Sequence, residues 1–338
     1  MSTPASLIAT DIDYERIGFQ TGTLRLPYSH DRSAYGHIPI PLAVLNSGDG
    51  PTVVLTGGNH GDEYEGPVAL MKLVQRMPTL SIRGRLIVIP ALNFPAFLNG
   101  TRTSPIDGGN LNRLFPGARH GMPTEMIAHY IEAELLPRAD IVFDFHAGGA
   151  SFEHAPTLLA SPPPASDPQR RGRYLDLVRA FGAPNTMVMD LLGEDRTFAA
   201  AAERHGTLFL CGEFGGHAGC DARNLAIVES GLQRVLQRLG VVQAERLAPP
   251  PQTRCLRVEG ARHYVHAPHA GVFEPAFALD DDVREGQLAG RLFDPHEPWR
   301  APREIAFRGD GRVMCARTFA RVEAGDCIAL LASESSLD

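Results

Sequence analysis

Two short apolar runs, far apart in the chain, end in the same fashion. Thr52-Val-Val-Leu-Thr56 leads into Gly57-Gly-Asn-His60-Gly-Asp-Glu63, and Ile141-Val-Phe-Asp-Phe145 leads into His146-Ala-Gly-Gly149. Short continuous apolar segments of this kind suit strands buried on both faces of an α/β sheet. The glycines that follow let the backbone turn tightly and approach neighbouring chain. Open α/β sheets bind ligands beyond the carboxyl ends of their strands, so a fold that aligns these two ends gathers His60, Glu63 and His146. Two imidazoles and one carboxylate form a three-ligand zinc set with a fourth position left for water, the pattern of a catalytic site. One zinc ion per chain is the cofactor this set implies.

The surrounding pattern supports such a sheet. Thr21–Leu26 and Ile38–Leu45 read as an antiparallel edge, because prolines within a strand pattern belong at edges. Pro67–Met77 has helical periodicity and Arg85–Ile89 is the next strand. Thr124–Pro137 reads as a helix with Thr124 as its N-cap and Pro137 closing it. Ala139–Phe145 is a strand, Asp167–Phe181 and Phe198–His205 are helices, Thr207–Glu213 is a strand and Ala222–Leu239 a long helix. Alternation of this kind predicts an α/β fold: a mostly parallel mixed sheet with helices on both faces. At Ala248-Pro-Pro-Pro251 the pattern changes to short strand-like runs divided by turns. The expected division is therefore a catalytic domain over 1–247 and a small all-β domain over 252–335.

Composition narrows the function class. The 338 residues carry a formal net charge of −7 with no Lys/Arg cluster, which argues against a nucleic-acid partner. Five dispersed cysteines without Cys-x-x-Cys spacing read as reduced thiols of a cytoplasmic protein. The first residues lack a basic stretch followed by a long apolar one, so a secretory leader is not expected. No apolar run approaches the roughly 20 residues of a membrane helix, and no membrane partner is expected.

Other residues fall into place around the zinc set. Asp144 shares a strand face with His146 and can orient a metal-bound imidazole from behind; a strand-capping carboxylate is the plain alternative. Glu213 ends a strand in Cys211-Gly-Glu-Phe-Gly-Gly216, placing a carboxylate at the same sheet edge as a general base. In Gly108-Gly-Asn-Leu-Asn112-Arg113, the planar fork of Arg113 suits a substrate carboxylate, with Asn112 beside it. Arg102 is a second cation nearby. Glu153, Asp190 and Glu194 are candidates for reading a cationic substrate side chain. His263, His266 and His269 have metal-like spacing, but in a β region a period of three does not place side chains on one face. No Gly-x-Ser-x-Gly elbow, Walker A or dinucleotide-binding glycine pattern is present.

Taken together, Gly57-Gly-Asn-His60-Gly-Asp-Glu63, Asn110-Leu-Asn112-Arg113, Asp144-Phe-His146 and Gly212-Glu213 resemble the succinylglutamate desuccinylase/aspartoacylase family, a branch of the zinc carboxypeptidase-like fold. The resemblance implies a zinc-dependent amidohydrolase that cleaves linear amides of small N-α-acyl amino acids. It implies Glu213 as general base and Asn112, Arg113 and Arg102 as substrate contacts. Leu24-Arg-Leu-Pro-Tyr-Ser29, Gly57–Pro67 and Gly212–Gly216 resemble more narrowly the branch that deacetylates N-α-acetyl-L-2,4-diaminobutyrate in ectoine degradation. The C-terminal part resembles lipoyl-like half-barrels through Ala267-Pro-His-Ala-Gly-Val-Phe and Gly309-Asp-Gly. No lysine follows Lys72, so it is no lipoyl or biotinyl carrier and reads instead as a packing or oligomerisation module of a homo-oligomer. Desuccinylase or aspartoacylase activity on another N-acyl amino acid, a metallocarboxypeptidase, and a metal-free small-ligand binding protein are the rival expectations.

Overall fold

The computed structural model describes residues 5–189, 193–243 and 248–337. Its strands are β1 (Ala9–Thr10), β2 (Gly18–Pro27), β3 (His37–Asn46), β4 (Thr52–Gly57), β5 (Arg85–Ile89), β6 (Ile141–His146), β7 (Phe152–Ala160), β8 (Asn185–Val188) and β9 (Leu208–Gly216). Nine more follow in the C-terminal part: β10 (Arg254–Arg257), β11 (Tyr264–His266), β12 (Gly271–Pro275), β13 (Asp282–Val283), β14 (Leu288–Phe293), β15 (Arg303–Ala306), β16 (Gly311–Arg317), β17 (Arg321–Val322) and β18 (Cys327–Glu334). Six α-helices are interspersed: α1 (Glu65–Arg76), α2 (Phe94–Asn99), α3 (Pro123–Tyr130), α4 (Pro168–Phe181), α5 (Phe198–Arg204) and α6 (Ala222–Arg238).

The main sheet runs β1-β2-β3-β5-β4-β6-β9-β7-β8-β10-β18-β16-β13. Parallel pairing is confined to β5-β4-β6-β9 and β7-β8-β10, and every other neighbour is antiparallel. The sheet is mixed, as expected, but antiparallel pairs outnumber parallel ones, so it is not mostly parallel. β2 and β3 pair antiparallel over Gly18–Pro27 against Asn46–His37 through a short loop, which only antiparallel strands allow. The C-terminal strands add further antiparallel pairs.

Alternation along the central strands sorts side chains to two faces. Val53, Leu55, Phe143 and Leu210 pack with α1, α4 and α6; Val54 and Val142 pack with α3 and α5 on the opposite face. Helix α1 lies close on the sheet because Gly66 has no side chain: a Cβ there would come 2.3 Å from Phe145 Cβ. Helix α3 begins one residue before its expected cap. Pro123 takes the first helical position, where its missing N–H costs nothing, and Glu125 reaches back to the Met122 amide at 2.7 Å. Thr124 is instead hydrogen-bonded to Asp107.

Hydrogen bonding does not stop at the proline run. β10 continues in parallel from β8, and β16 pairs with β7. Residues 254–334 form strands and one short 3-10 turn, with a separate four-stranded sheet β15-β14-β12-β17 and their own apolar cluster that includes Phe273, Leu292, Phe307 and Ile328.

Candidate active site

β4 and β6 are parallel neighbours, with Thr56 opposite Asp144. β9 lies on the other side of β6, with His146 opposite Glu213. Matched strand lengths therefore bring the two glycine-rich turns and Glu213 to one edge. The turns are latched to each other: Asp62 Oδ2 accepts the Ala150 amide at 2.7 Å. Between His60 and Asp62 only glycine fits, since a Cβ on Gly61 would lie 2.0 Å from the Ala96 carbonyl carbon.

His60, Glu63 and His146 are all buried, with ligand atoms within 4.8 Å of one another. His60 Nδ1 is 2.6 Å from Glu63 Oε1, and His146 Nδ1 is 2.8 Å from Glu63 Oε2. The outer nitrogens have acceptors: His146 Nε2–H donates to Asp144 Oδ2 at 2.8 Å, and His60 Nε2–H donates to Asn110 Oδ1 at 3.2 Å. With the proton held on Nε2, each Nδ1 presents a lone pair. Two lone-pair nitrogens converging on a carboxylate need a cation between them, so this donor set fits a single divalent metal ion. Without a cation, a proton takes its place: against the cost of burial, Asp144 and Glu63 push His146 well up, and the two imidazoles hold Glu63 well below the usual carboxylate range, so a metal ion would displace that proton from Nδ1.

Asp144 is fully buried and saturated, accepting also from Thr56 Oγ1 at 2.6 Å and Asn59 Nδ2 at 2.9 Å. It contacts His146 but not His60. The side chain of Glu213 enters the same cavity, and its Oε2 is buried without a hydrogen-bond partner among the described residues. Burial, and then the negative charge of Glu63, push its carboxyl up to about 8. A buried carboxylate oxygen with an open lone pair beside a cation site is equipped to accept a proton.

The cavity holds about 400 Å³. Arg102, Asn112 and Arg113 all line it. Arg102, half exposed, lies closest to the metal set: its Nη1 is 3.3 Å from His60 Nδ1 and 3.6 Å from Glu63 Oε1. Asn112 spends its side-chain oxygen on the Phe198 amide at the start of α5, 2.9 Å away, while its remaining amide group stays on the cavity side. Arg113 donates to the Asn112 carbonyl at 2.6 Å and sits 3.8 Å from Glu194. Of the acidic candidates, Glu194 lines the cavity, Glu153 pairs with His217 at the surface, and Asp190 lies outside the described residues. His263 is no metal ligand either: Nδ1 accepts the Glu259 amide at 3.0 Å, and Nε2 meets Ser333 Oγ at 3.2 Å.

Several site residues escape the sequence reading. Asn110, Asn59 and Thr56 lie within quoted segments, but they support the site through contacts to residues distant in sequence, His60 for Asn110 and Asp144 for Asn59 and Thr56. His154 on β7 lines the cavity with Nδ1 unpaired among the described residues, and burial holds it down to about 4, so it is neutral. Tyr264 and Leu330 enter the cavity wall from β11 and β18.

Residues 49–239 match the model of the succinylglutamate desuccinylase/aspartoacylase catalytic domain. The chain is 42% identical over 328 residues to the N-alpha-acetyl-L-2,4-diaminobutyric acid deacetylase of Halomonas elongata, covering 97% of this chain and 95% of that one. The fold is similar to the product-bound ectoine utilization protein EutE (DoeB) of Ruegeria pomeroyi, with TM-score 0.92 and 37% identity over 98% of this chain and 100% of that one. It is similar as well to a succinylglutamate desuccinylase/aspartoacylase structure from Rhodobacter sphaeroides, with TM-score 0.90 and 38% identity over 98% and 100% of the two chains.

Proposed function

The chain belongs to the succinylglutamate desuccinylase/aspartoacylase family, and from that premise we propose that it is a zinc-dependent deacetylase of N-α-acetyl-L-2,4-diaminobutyrate, releasing diaminobutyrate and acetate. The observation that carries this reading is the convergence of two lone-pair imidazole nitrogens on Glu63 beside the unpartnered Oε2 of Glu213. What favours a small neutral acyl group over succinyl is the mainly apolar wall next to Glu213, formed by Leu159, Phe209 and the neutral Cys211. A succinyl carboxylate lying against that wall would lose its hydration without gaining a partner.

His60, Glu63 and His146 would hold one zinc ion, with Asp144 and Asn110 fixing the two imidazoles. When bound, zinc supplies Lewis acidity at the acyl carbonyl and acidifies water. Glu213 takes the proton of the attacking water at Oε2 and delivers it to the departing nitrogen, so that the amide C–N bond breaks to acid and amine. The divalent charge in the set brings Glu213 into its ionised form at neutral pH. Arg113 clamps the α-carboxylate, and Asn112 and Arg102 contact the substrate on the same side. Glu194, whose carboxylate also holds the Arg196 fork at 2.8 Å, is the residue we assign to the substrate ammonium.

The reading also takes 1–247 as the catalytic domain and 252–335 as a small all-β, lipoyl-like half-barrel. The separate apolar core of 252–335 supports this division, although the main sheet crosses the boundary. A cytoplasmic homo-oligomer completes it. The test is metal analysis together with amine release from a panel of N-acyl amino acids. One equivalent of zinc and a preference for acetyl- over succinyl-diaminobutyrate are expected, and His146→Ala loses metal and turnover together. Full zinc in that variant removes the ligand assignment. Preferential cleavage of free-amino peptides makes the protein a carboxypeptidase, and a metal-free, inert protein makes it a binding protein.

A further inference from the structure

The cavity continues past Glu213. On β9, Phe209, Cys211 and Glu213 alternate onto one face, and all three line the cavity. β7 runs antiparallel beside them with Leu159 opposite Cys211, and Ala160, Met189 and Leu330 extend the same wall. Burial pushes the Cys211 thiol up, so it stays neutral. From Glu213 to Phe209 the row measures roughly 13 Å at ~3.3 Å per residue. An acetyl group reaches one C–C bond beyond its carbonyl, about 1.5 Å. An acyl amino acid has two arms at the scissile amide. The amine arm carries a carboxylate, and in diaminobutyrate an ammonium as well, and charged groups are strongly disfavoured against an unpartnered apolar wall. Partners for these charges in the cavity lining are Arg102, Arg113 and Glu194, all partly exposed. The uncharged arm is the acyl group.

We propose that the row from Glu213 to Phe209 is an acyl-chain trough, and that the enzyme hydrolyses N-acyl amino acids with unbranched acyl chains longer than acetyl; a six-carbon chain, at about 1.5 Å per C–C bond, spans under about 8 Å and fits within the row. This rests on the amidohydrolase reading above. The reaction balances as for acetyl: water adds to the acyl carbon, the C–N bond breaks, and a fatty carboxylate and an amine leave. Each methylene removed from water adds up to about fourfold in kcat/KM.

The experiment measures amine release by the zinc-loaded enzyme from L-2,4-diaminobutyrate acylated at the α-nitrogen with acetyl, propionyl, butyryl, hexanoyl or succinyl groups. The expected result is a kcat/KM that holds or rises from acetyl to butyryl, and a succinyl value at least tenfold below butyryl. Leu159→Phe, which narrows the trough, lowers the hexanoyl-to-acetyl ratio at least tenfold, while Leu159→Ala does not. A tenfold fall at each of propionyl and butyryl, with acetyl cleaved normally, overturns the trough and leaves the deacetylase reading standing. Inertness towards every acyl group removes both readings.

Discussion

Asp144→Asn tests how the metal set is held. The wild-type carboxylate accepts three hydrogen bonds in a fully buried position, from His146 Nε2, Asn59 Nδ2 and Thr56 Oγ1. The amide has nearly the same shape. With its oxygen turned to His146 and Asn59, its NH₂ meets Thr56, whose hydroxyl can reverse from donor to acceptor. No polar atom need be orphaned, so the fold survives. What is lost is the negative charge behind His146, and with it the basicity of Nδ1. Partners of this kind are worth ~10- to 100-fold in metal affinity, which converts to roughly 1.4–2.7 kcal/mol at ~1.4 kcal/mol per tenfold. The assay is competition for zinc against a fluorescent chelator, with circular dichroism to check the fold. A well-folded variant with unchanged zinc affinity would refute the argument that Asp144 tunes the metal through His146.

Three further outcomes follow from the geometry. Glu213→Gln should keep its zinc and lose ~10²- to 10⁴-fold in kcat; unchanged turnover would remove Glu213 as the base. Arg113→Ala should lower kcat/KM roughly 10- to 150-fold on the free acid, and hardly at all on a substrate whose α-carboxylate is an amide; equal losses on both would assign Arg113 to its loop rather than to substrate. His154 has a folded pKa of about 4, below its unfolded value near 6.5, so the unfolded chain binds more protons between these values and stability falls as pH drops through that window. Relative to wild type, His154→Gln should therefore gain about 1–2 kcal/mol from pH 7 to pH 4, allowing for screening at a partly exposed side chain; parallel denaturation curves across that range would contradict a buried neutral imidazole.

The clustering of His60, Glu63 and His146 is legible in the sequence because each lies at or just beyond the end of a continuous apolar strand in a glycine-containing turn, and both signals are local. β7 is not legible: Phe152-Glu-His-Ala-Pro-Thr breaks apolar alternation, and Pro156 is tolerated only because the pairing with β9 shifts register between His154 and Thr157. With β7 unread, His154 and Leu159 could not be placed in the cavity. Thr124 misleads as a cap because Pro123 and Glu125 supply a better start one residue earlier. Strands β2 to β6 and β9 are legible, but the direction of each strand is decided by which ends its loops can join, as the β2–β3 hairpin illustrates. Asn110 is the closest miss, since it lies in the loop quoted for Asn112 and Arg113, yet its contact is to His60, far away in sequence.

The family's catalytic-domain match ends at residue 239, yet Tyr264 and Leu330 stand in the cavity wall. Substrate preference is thus written partly in a stretch of chain that holds none of the reacting groups. On the proposed reading, chemistry and selectivity are carried by different stretches of the chain: His60, Glu63, His146 and Glu213 in the first, and part of the cavity wall in residues beyond 250. A hybrid joining the first 250 residues of this chain to the remaining strands of a relative would keep its reaction and exchange its appetite.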